Sequence, residues 1–368
     1  MRRVLITGGA GFIGSHLADA LLREGDEVRV LDPLVEQVHN GDGRPDYLDP
    51  QVELLVGDVR DRRAVDRALE GVDAVVHLAA RVGVGQSMYE IVDYAAVNTT
   101  GTATLLEALL DRPVGRLLVA SSMSVYGEGL YASRDGSPVV VAERTREQVE
   151  GRKWDPVGAD GQELTPIPTP ETKPPANSSV YALTKYDQER LCLLFGAAYG
   201  VPATALRLFN VYGTRQALSN PYTGVLAFFA SRLLNDRAPL VYEDGCQRRD
   251  FVSVRDVARA FVLALDGHAA GDVVNVGSGD DVSVLQIADA LGRVLGKEIE
   301  PEVTGKARTG DVRHCFADVS RARELLGYEP QVRLEEGLAE LTEWLAGQVA
   351  VDRVDAAADE LAARGLTV

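Results

Sequence analysis

Cysteine is scarce in this chain of 368 residues, which has only Cys192, Cys246 and Cys315, far apart from one another. An odd number of scattered cysteines predicts no disulfide framework, and no two have the short spacing of metal ligands, so no metal site is expected. Long hydrophobic runs are also missing, because no apolar stretch approaches the ~18 residues that a membrane-spanning helix requires. The sequence therefore predicts no membrane partner.

Positive charge is in deficit. The chain has 38 Lys and Arg residues against 55 Asp and Glu residues, for a net charge of −17. This balance argues against a nucleic-acid-binding surface. It does not argue against an anionic small molecule, since a few arginines in a cleft can override the global sign. The first residues lead directly into an apolar strand and leave no room for a signal peptide, so we expect a cytoplasmic protein.

Glycine is concentrated in residues 7–15, which read Thr-Gly-Gly-Ala-Gly-Phe-Ile-Gly-Ser. An apolar strand at 3–6 precedes them, and a helical pattern at 15–22 follows. Strand, glycine turn and helix are the context of a dinucleotide fingerprint, in which backbone N–H groups and the helix N-terminus approach a pyrophosphate. The alternative is an ordinary tight turn between a strand and a helix.

An acidic residue at the end of the next strand favours the dinucleotide interpretation. Residues 27–31 form an apolar strand that ends in Asp32, 18 residues after Gly14. A carboxylate at this place suits the ribose hydroxyls of NAD and would repel the 2′-phosphate of NADP. No arginine follows directly, so the sequence predicts NAD as the cofactor.

Strands and helices then alternate. Strands are expected at 52–56, 74–80 and 117–120, with helices at 61–70 and 95–111. This order predicts an α/β fold of the Rossmann type, with a doubly wound parallel sheet. Ligands of such sheets bind beyond the carboxyl ends of the strands. Three residues at strand ends should line that crevice: Asp58, Ala80 and Ser122. Asp58 would suit an adenine amino group; it could instead cap the helix at 61–70, or do both.

Tyr181 and Lys185 stand four residues apart on a predicted helix, so both side chains leave the same face. A lysine ammonium lowers the pKa of a nearby phenol, which could then act as a base toward a sugar hydroxyl. Ser122 could bond the reacting oxygen. Taken alone, the pair could also be a surface contact of a helix.

These motifs, with residues 122–127 (Ser-Met-Ser-Val-Tyr-Gly), resemble the extended short-chain dehydrogenase/reductase family over roughly residues 1–346. Within it, the chain resembles nucleotide-sugar 4-epimerases and dehydratases. The resemblance implies that Ser122, Tyr181 and Lys185 are catalytic and that NAD is bound. The cofactor-binding residues that it implies are Gly8, Gly11, Phe12, Ile13, Gly14, Asp32, Asp58, Val59, Leu78, Ala79, Ala80, Asn98, Tyr181 and Lys185.

The resemblance also implies a nucleotide-sugar substrate, a dTDP- or UDP-hexose. The substrate-binding residues are then Ser87, Ser122, Ser124, Asn210, Arg215, Arg249 and Arg308. Arginine forks suit a diphosphate, and the family pattern directs Asn210, Arg249 and Arg308 to it. Residues 84–89 and the long segment before Tyr181 most resemble dTDP-L-rhamnose 4-epimerase-type sequences. UDP-glucose and UDP-glucuronate epimerases are the nearest alternatives.

The residues after Ser122 bear on the reaction. The dehydratases of the family carry an Asp-Glu pair there, and this chain has Met123 and Ser124, neither of which is a strong general acid. A net ketoreductase would exchange NADPH at each turnover, which Asp32 disfavours. With dehydration and net reduction disfavoured, the predicted reaction is epimerisation at C4 by one NAD that stays bound through the cycle. The alternatives are a 4-ketoreductase, a dehydratase or a non-catalytic sensor.

The expected domains are an NAD-binding Rossmann domain at 1–208 with an insertion at about 128–178, a smaller α/β sugar-nucleotide region at 209–346 partly interleaved with it, and a tail helix at 347–368. The insertion is proline-rich, with one short helix at 143–153. The tail is an amphipathic helix or a mobile end. The resemblance implies a homodimer through the helices of Asn98 and Tyr181. Apolar candidates for that interface, or for the chain's own core, are Leu105, Leu106, Leu109, Leu191, Leu194 and Phe195.

Overall fold

The computed structural model describes residues 1–39, 43–220, 222, 224–267, 269–308, 310–348 and 352–367. The strands in these ranges are β1 Arg3–Thr7, β2 Glu27–Asp32, β3 Glu53–Val56, β4 Ala74–His77, β5 Arg116–Ser122, β6 Leu130–Ala132, β7 Pro138–Val140, β8 Thr165–Ile167, β9 Ala203–Leu208, β10 Asn210–Tyr212, β11 Leu240–Val241, β12 Arg248–Arg249, β13 Phe251–Ser253, β14 Val273–Val276, β15 Val282–Ser283, β16 Glu302–Val303 and β17 His314–Cys315. The α-helices there are α1 Phe12–Arg23, α2 Arg62–Ala68, α3 Val84–Ser87, α4 Ile91–Tyr94, α5 Gly101–Asp111, α6 Arg146–Glu150, α7 Val180–Tyr199, α8 Val225–Leu234, α9 Val254–Asp266, α10 Val284–Val294, α11 Ser320–Leu326, α12 Leu334–Leu345 and α13 Val354–Ala363.

A seven-stranded sheet in the order β14-β9-β5-β4-β1-β2-β3 forms the centre of the fold. All its neighbouring strands are parallel, with Leu5 of β1 paired to Arg29 on one side and to Val75 on the other. Helices cover both faces. Leu17 and Phe261 belong to the apolar cluster on one face, and Leu105 and Phe195 belong to the cluster on the other. The predicted doubly wound parallel α/β fold is confirmed.

The helix predicted at 95–111 differs from the expectation. Helical structure begins at Ile91, passes through a π-helical segment at Ala95–Thr100, and continues as α5. π-Helical turns are rare and often occur at functional sites. Asn98 lies inside this segment, and its side chain is fully buried.

A smaller region at the carboxyl end of the sheet is built from short strands and three helices. Strand pairs β10–β13 and β11–β16 and the trio β15-β12-β17 lie there. Helices α8, α10 and α12 close around an apolar cluster that includes Phe229, Leu291 and Leu341. Residues 273–276 return from this region to the edge of the large sheet as β14, so the two regions interleave.

The insertion before Tyr181 folds as a small antiparallel sheet, β7-β6-β8, which the sequence did not predict. Helix α6 falls within the short helix expected at 143–153 and begins with a capping box formed by Thr145 and Gln148. The insertion is joined to the smaller region by a bridge between Thr169 and Ala317.

A buried ion network fixes the insertion in place. The guanidinium of Arg313, 1% exposed, lies 2.9 Å from Asp155, 3.0 Å from Glu243 and 2.6 Å from Asp244. A second cation, Arg144, lies 2.8 Å from the other oxygen of Glu243. Asp155 and Arg144 belong to the insertion, so these pairs tie it to the turn after β11 and to the residue before β17 in the smaller region.

Of the three cysteines, Cys192 and Cys315 are buried and Cys246 is exposed, and all three are free thiols. Among the helices of the described residues, none combines the length and apolar character that crossing a bilayer requires.

The tail contains a helix, α13, with Val354 and Leu361 buried against the rest of the protein. Val349 and Val351, apolar residues within the tail helix predicted at 347–368, lie outside the described residues.

Candidate active site

The glycine turn between β1 and α1 is closely packed. Gly8 has φ +71°, and a Cβ there would lie 2.8 Å from the backbone nitrogen of Ala79. A Cβ on Gly14 would lie 2.5 Å from the Cα of Gly9. Because Gly11 provides no capping side chain for α1, the first N–H groups of the helix remain available to an anion. This cradle fits the pyrophosphate of a dinucleotide.

Asp32 ends β2 with its side chain at the floor of the same crevice. Its Oδ2 accepts from the backbone N–H of Ala10 at 3.1 Å, and its Oδ1 accepts from that of Leu34 at 2.9 Å. Oδ1 also lies 3.5 Å from Nε2 of His39. Oδ2 has a second lone pair, so it can still accept from a ribose hydroxyl. The arrangement fits NAD.

Asp58 follows β3, and its carboxylate is held by the Arg60 guanidinium at 2.6 and 3.0 Å. Burial acts to raise the pKa of Asp58, but the bonds from Arg60 outweigh it and leave the pKa lowered. The cap of α2 is Asp61, whose side chain accepts from the N–H of Arg63. The alternative role of Asp58 as that cap is therefore not realised.

One cavity of about 600 Å³ connects these groups with the predicted catalytic residues. Its lining includes the following residues expected from the sequence: Gly8, Gly11, Phe12, Ile13, Gly14, Asp32, Asp58, Val59, Leu78, Ala79, Ala80, Ser122, Ser124, Tyr181, Lys185, Asn210, Arg249 and Arg308.

Ser122 and Tyr181 come together because the end of β5 is fixed against α7. Ser121, next to Ser122, donates to Glu189 of α7 at 2.7 Å. Ser122 itself accepts from the N–H of Ser124 at 3.1 Å, and its hydroxyl lies 3.2 Å from the Ser124 hydroxyl. Ser122 and Ser124 therefore present two neighbouring hydroxyls, and neither Met123 nor Ser124 supplies an acid.

The protonation of Tyr181 differs from the expectation. Burial raises the pKa of its phenol, and the hydrogen bond with the Ser122 hydroxyl acts in the opposite direction. The Lys185 ammonium is turned to Gln188, whose Oε1 it reaches at 2.7 Å. Burial also lowers the pKa of Lys185 to about 8.

Gln188 belongs to a buried polar chain that the sequence analysis missed. Its amide Nε2 lies 3.0 Å from Nε2 of His77 and donates to Thr102 at 3.0 Å. The other nitrogen of His77 lies 2.7 Å from Thr7 Oγ1. Burial, with the Lys185 charge, lowers the pKa of His77 to about 3, so the imidazole is neutral.

Three polar side chains line the smaller region's side of the cavity. The side-chain oxygen of Asn210 is buried without a partner, which is costly unless a ligand supplies a donor. Arg249 donates from Nη1 to the carbonyls of Arg248 and Arg313, both at 2.9 Å. Arg308 donates to Asp311 at 2.8 Å, and its guanidinium lies 4.6 Å from the Tyr242 ring centre.

Two of the predicted residues, Asn98 and Ser87, lie behind the cavity wall. Asn98 bonds both backbone groups of Arg81, at 2.7 and 3.1 Å, and donates to Thr184 at 3.0 Å. Ser87 accepts from the backbone N–H of Tyr181 at 3.0 Å. Both hold elements that carry lining residues, and neither lines the cavity itself.

Arg215 is also outside the lining. Its guanidinium forms an ion pair with Asp19 at 2.7 Å and lies 5.7 Å from the Tyr47 ring centre. These contacts hold it against α1, which explains why it does not join the other arginines.

The tail supplies lining residues that the sequence analysis did not assign. These are Val354, Ala357, Ala358, Leu361 and Leu366. Their spacing in α13, at intervals of three and four, places the helical members on one face. That periodicity predicts an apolar face on a tail helix, but it does not predict that this face packs over the cavity.

Comparison with known proteins gives a consistent result. Residues 4–277 match the NAD dependent epimerase/dehydratase family. The dTDP-L-rhamnose 4-epimerase of Burkholderia thailandensis is 39% identical over 354 residues, covering 95% of this chain and 96% of that protein.

Solved structures of two 4-epimerases are also similar to this chain. The UDP-glucose 4-epimerase of Thermotoga maritima, crystallised with UDP-glucose, has a TM-score of 0.77 and 32% identity, covering 94% of this chain and 98% of that one. The UDP-glucose 4-epimerase of Thermus thermophilus, in complex with NAD, has a TM-score of 0.74 and 32% identity, covering 94% of this chain and 100% of that one.

Proposed function

Because the chain belongs to the NAD-dependent epimerase/dehydratase family, we propose that it is a nucleoside-diphosphate-sugar 4-epimerase that works with bound NAD. The observation that carries the proposal is the shared cavity. Ser122, Tyr181 and Lys185 line it together with the glycine turn and Asp32. No acid follows Ser122, so elimination of a sugar hydroxyl lacks its proton donor.

Tyr181 is the base that takes the proton of the C4 hydroxyl and later returns it. Ser122 bonds the same oxygen and orients its proton. Burial raises the pKa of Tyr181, so the phenolate needs a nearby cation. Lys185, one turn along the same face of α7, provides it when its ammonium turns from Gln188 toward the cavity. Bound NAD would supply the acceptor for the C4 hydride and the donor for its return, which reaches the other face of the 4-keto sugar once the sugar has rotated about its diphosphate link.

The remaining residues of the site bind the cofactor and the substrate. The glycine turn and the N-terminus of α1 hold the pyrophosphate of NAD, and Asp32 accepts from its ribose. Asn210, Arg249 and Arg308 hold the diphosphate of the sugar nucleotide, and the unpartnered Asn210 oxygen supports this assignment. Residues 1–208 form the NAD-binding domain with its insertion, 209–346 form the sugar-nucleotide region, and 347–368 form the tail.

The proposed substrate is dTDP-L-rhamnose or a related dTDP- or UDP-hexose. The similarity to the Burkholderia thailandensis enzyme extends along almost the whole length of both chains, which supports the first of these. A UDP-hexose is the second candidate, which the Thermotoga maritima neighbour with UDP-glucose supports.

The test is incubation of the purified protein with dTDP-L-rhamnose, UDP-glucose and UDP-glucuronate, followed by NMR of the products. We expect a C4 epimer from at least one of them. In D₂O the C4 hydrogen should be retained, because the hydride returns within the site. The Tyr181→Phe variant should lose about 10²–10⁴-fold in kcat, whereas Tyr199→Phe, exposed on the same helix, should be unchanged.

Other outcomes contradict the proposal. Stoichiometric consumption of NADH or NADPH would indicate a 4-ketoreductase, and a 4-keto-6-deoxy product would indicate a dehydratase. Absence of any C4 epimer, or full activity of Tyr181→Phe, would rule out the mechanism described.

A further inference from the structure

The C-terminal segment turns back over the cavity. Val354 and Leu361 of α13 are 2% and 5% exposed. Together with Ala357 and Ala358 they form one helical face that lines the cavity. An apolar face at this place is therefore a wall of the site.

Ion pairs hold the first turn of α13 in position. Arg237, which follows α8, lies 2.7 Å from Asp355 and 3.2 Å from Asp352. Arg232 of α8, whose side chain is 8% exposed, also contacts Asp355. These contacts anchor the helix to the smaller region.

The end of the segment is anchored at two further points. The Arg364 guanidinium lies 4.2 Å from the ring centre of Tyr89, a cation–π contact. Thr367 forms an antiparallel bridge with Arg308, the residue proposed for the diphosphate. The tail is thus fastened on both sides of its apolar face.

Leu361 contacts α3, the helix that is hydrogen-bonded to the start of the catalytic helix α7. A Cβ on Gly85 would lie 3.1 Å from Leu361 Cδ2, so the two residues are in contact. Gly85 lies in α3, whose Ser87 holds the backbone N–H of Tyr181. Val84, the residue before Gly85, and Met88, which follows α3, also line the cavity, so this part of the wall carries apolar side chains.

We propose that α13 forms the wall of the sugar end of the cavity and that Leu361 is a specificity-determining residue that favours a methyl group over a hydroxymethyl group at C5 of the hexose. The inference rests on the proposed function only in taking a sugar nucleotide as the ligand. A methyl group has no hydrogen bonds to water, so it loses none when it packs against Leu361, Val84 and Met88. A hydroxyl placed there would give up its bonds to water without a partner.

The test compares dTDP-L-rhamnose with dTDP-L-mannose, which differ only in having CH₃ or CH₂OH at C5. Dissociation constants are measured by calorimetry on the NAD-loaded protein, with dTDP as a third ligand that lacks the sugar. We expect the protein to bind the rhamnose nucleotide at least about tenfold more tightly. Leu361→Ser should reduce that ratio at least about fivefold without changing the dissociation constant of dTDP. Leu361→Ala, which makes room for a hydroxymethyl group and its water, should reduce the ratio as well.

The matched control is Ala362→Ser, an exposed position on the same helix, which should keep the ratio of the unchanged protein. Equal affinity of the unchanged protein for the two sugars, or an unchanged ratio in both Leu361 variants with dTDP binding intact, overturns the inference. This test measures binding and not catalysis. A protein that prefers the rhamnose nucleotide but forms no C4 epimer therefore contradicts the proposed function and supports the role given to Leu361. A protein that binds dTDP but neither sugar nucleotide contradicts both.

Discussion

Lys185 is the residue whose behaviour the sequence predicted only in part. Its spacing from Tyr181 identified the pair, and both line the cavity. The sequence did not reveal that Gln188, three residues on, holds the ammonium. The side chains that bond the amide nitrogen of Gln188, those of His77 and Thr102, are 111 and 86 residues away. Long-range pairing of this kind leaves no local pattern.

The contact with Gln188 should govern the alkaline limit of activity. Lys185 has a pKa of about 8, so it is cationic below that pH and neutral above it, and kcat/KM should fall as the pH rises through that value. Gln188→Leu removes an acceptor from the cation and should move the fall to lower pH. Gln188→Glu adds a negative charge and should move it to higher pH.

The measurement is a pH profile of kcat/KM for the protein and both variants. Loss of packing alone would lower the activity of both variants. It would not move the alkaline limit of one variant to lower pH and that of the other to higher pH. Displacements in the same direction, or none, would contradict the role given to Gln188.

At the scale of elements, the strand–turn–helix unit was the most predictable part, because its glycines are required by contact rather than by propensity. In Gly14→Ala the new methyl group would lie 2.5 Å from Gly9 Cα and 2.6 Å from the Gly8 carbonyl oxygen. The turn must then shift, and we expect the purified variant to retain less than about a tenth of the NAD of the unchanged protein, measured after denaturation.

Gly115→Ala is the control for that experiment. Its methyl group would lie 3.4 Å from the Asp73 carbonyl oxygen, an ordinary contact, at the opposite end of the sheet. It should bind NAD normally. Normal NAD content in Gly14→Ala would mean that the turn does not carry the cofactor.

The insertion was the least predictable element. Its prolines excluded long helices correctly, but its strands have only three residues each, too short to show a period. What fixes it is Arg313, which lies outside the insertion and pairs with Asp155 across 158 residues. The π-helical segment at Ala95–Thr100 was equally invisible, because its residues suit an α-helix.

Arg313→Met should therefore loosen the insertion. Removing the cation leaves Asp155, Asp244 and the buried Glu243 with less compensation, and we expect a loss of about 3 kcal/mol in the free energy of unfolding. That value is at the low end for a broken buried pair, because Asp155 and Asp244 are partly exposed. Denaturant unfolding followed by circular dichroism measures it.

Arg146→Met is the matched control. Arg146 forms an exposed pair with Glu150 in α6 of the same insertion, and its loss should cost no more than about 0.5 kcal/mol. Equal effects of the two substitutions would show that burial of the Arg313 network does not matter.

At the scale of the whole molecule, the open question is assembly. Of the apolar residues suggested for a dimer interface, Leu105, Leu106, Leu109 and Phe195 belong to the chain's own core. Leu194 is 57% exposed. Leu183, eleven residues earlier on α7 and therefore on the same face, is 49% exposed.

We expect a homodimer that uses this face of α7. Leu194→Arg should convert it to a monomer, because a guanidinium would be buried without a partner at a symmetric contact. Val303→Arg, at an exposed residue of the distant β16, should leave the dimer intact. Light scattering over a range of concentrations decides the matter, and a monomeric unchanged protein would contradict the expectation.

The distribution of thiols gives the protein a native attachment point. Cys246 is exposed while Cys192 and Cys315 are buried, so a maleimide dye should modify one position without any substitution. Partial burial raises the pKa of the Cys246 thiol, so the coupling at neutral pH should be slower than that of a free thiol. The next residue, Gln247, lines the cavity. A dye on Cys246 should therefore report the arrival of ligands through its fluorescence, in the unaltered sequence and in real time.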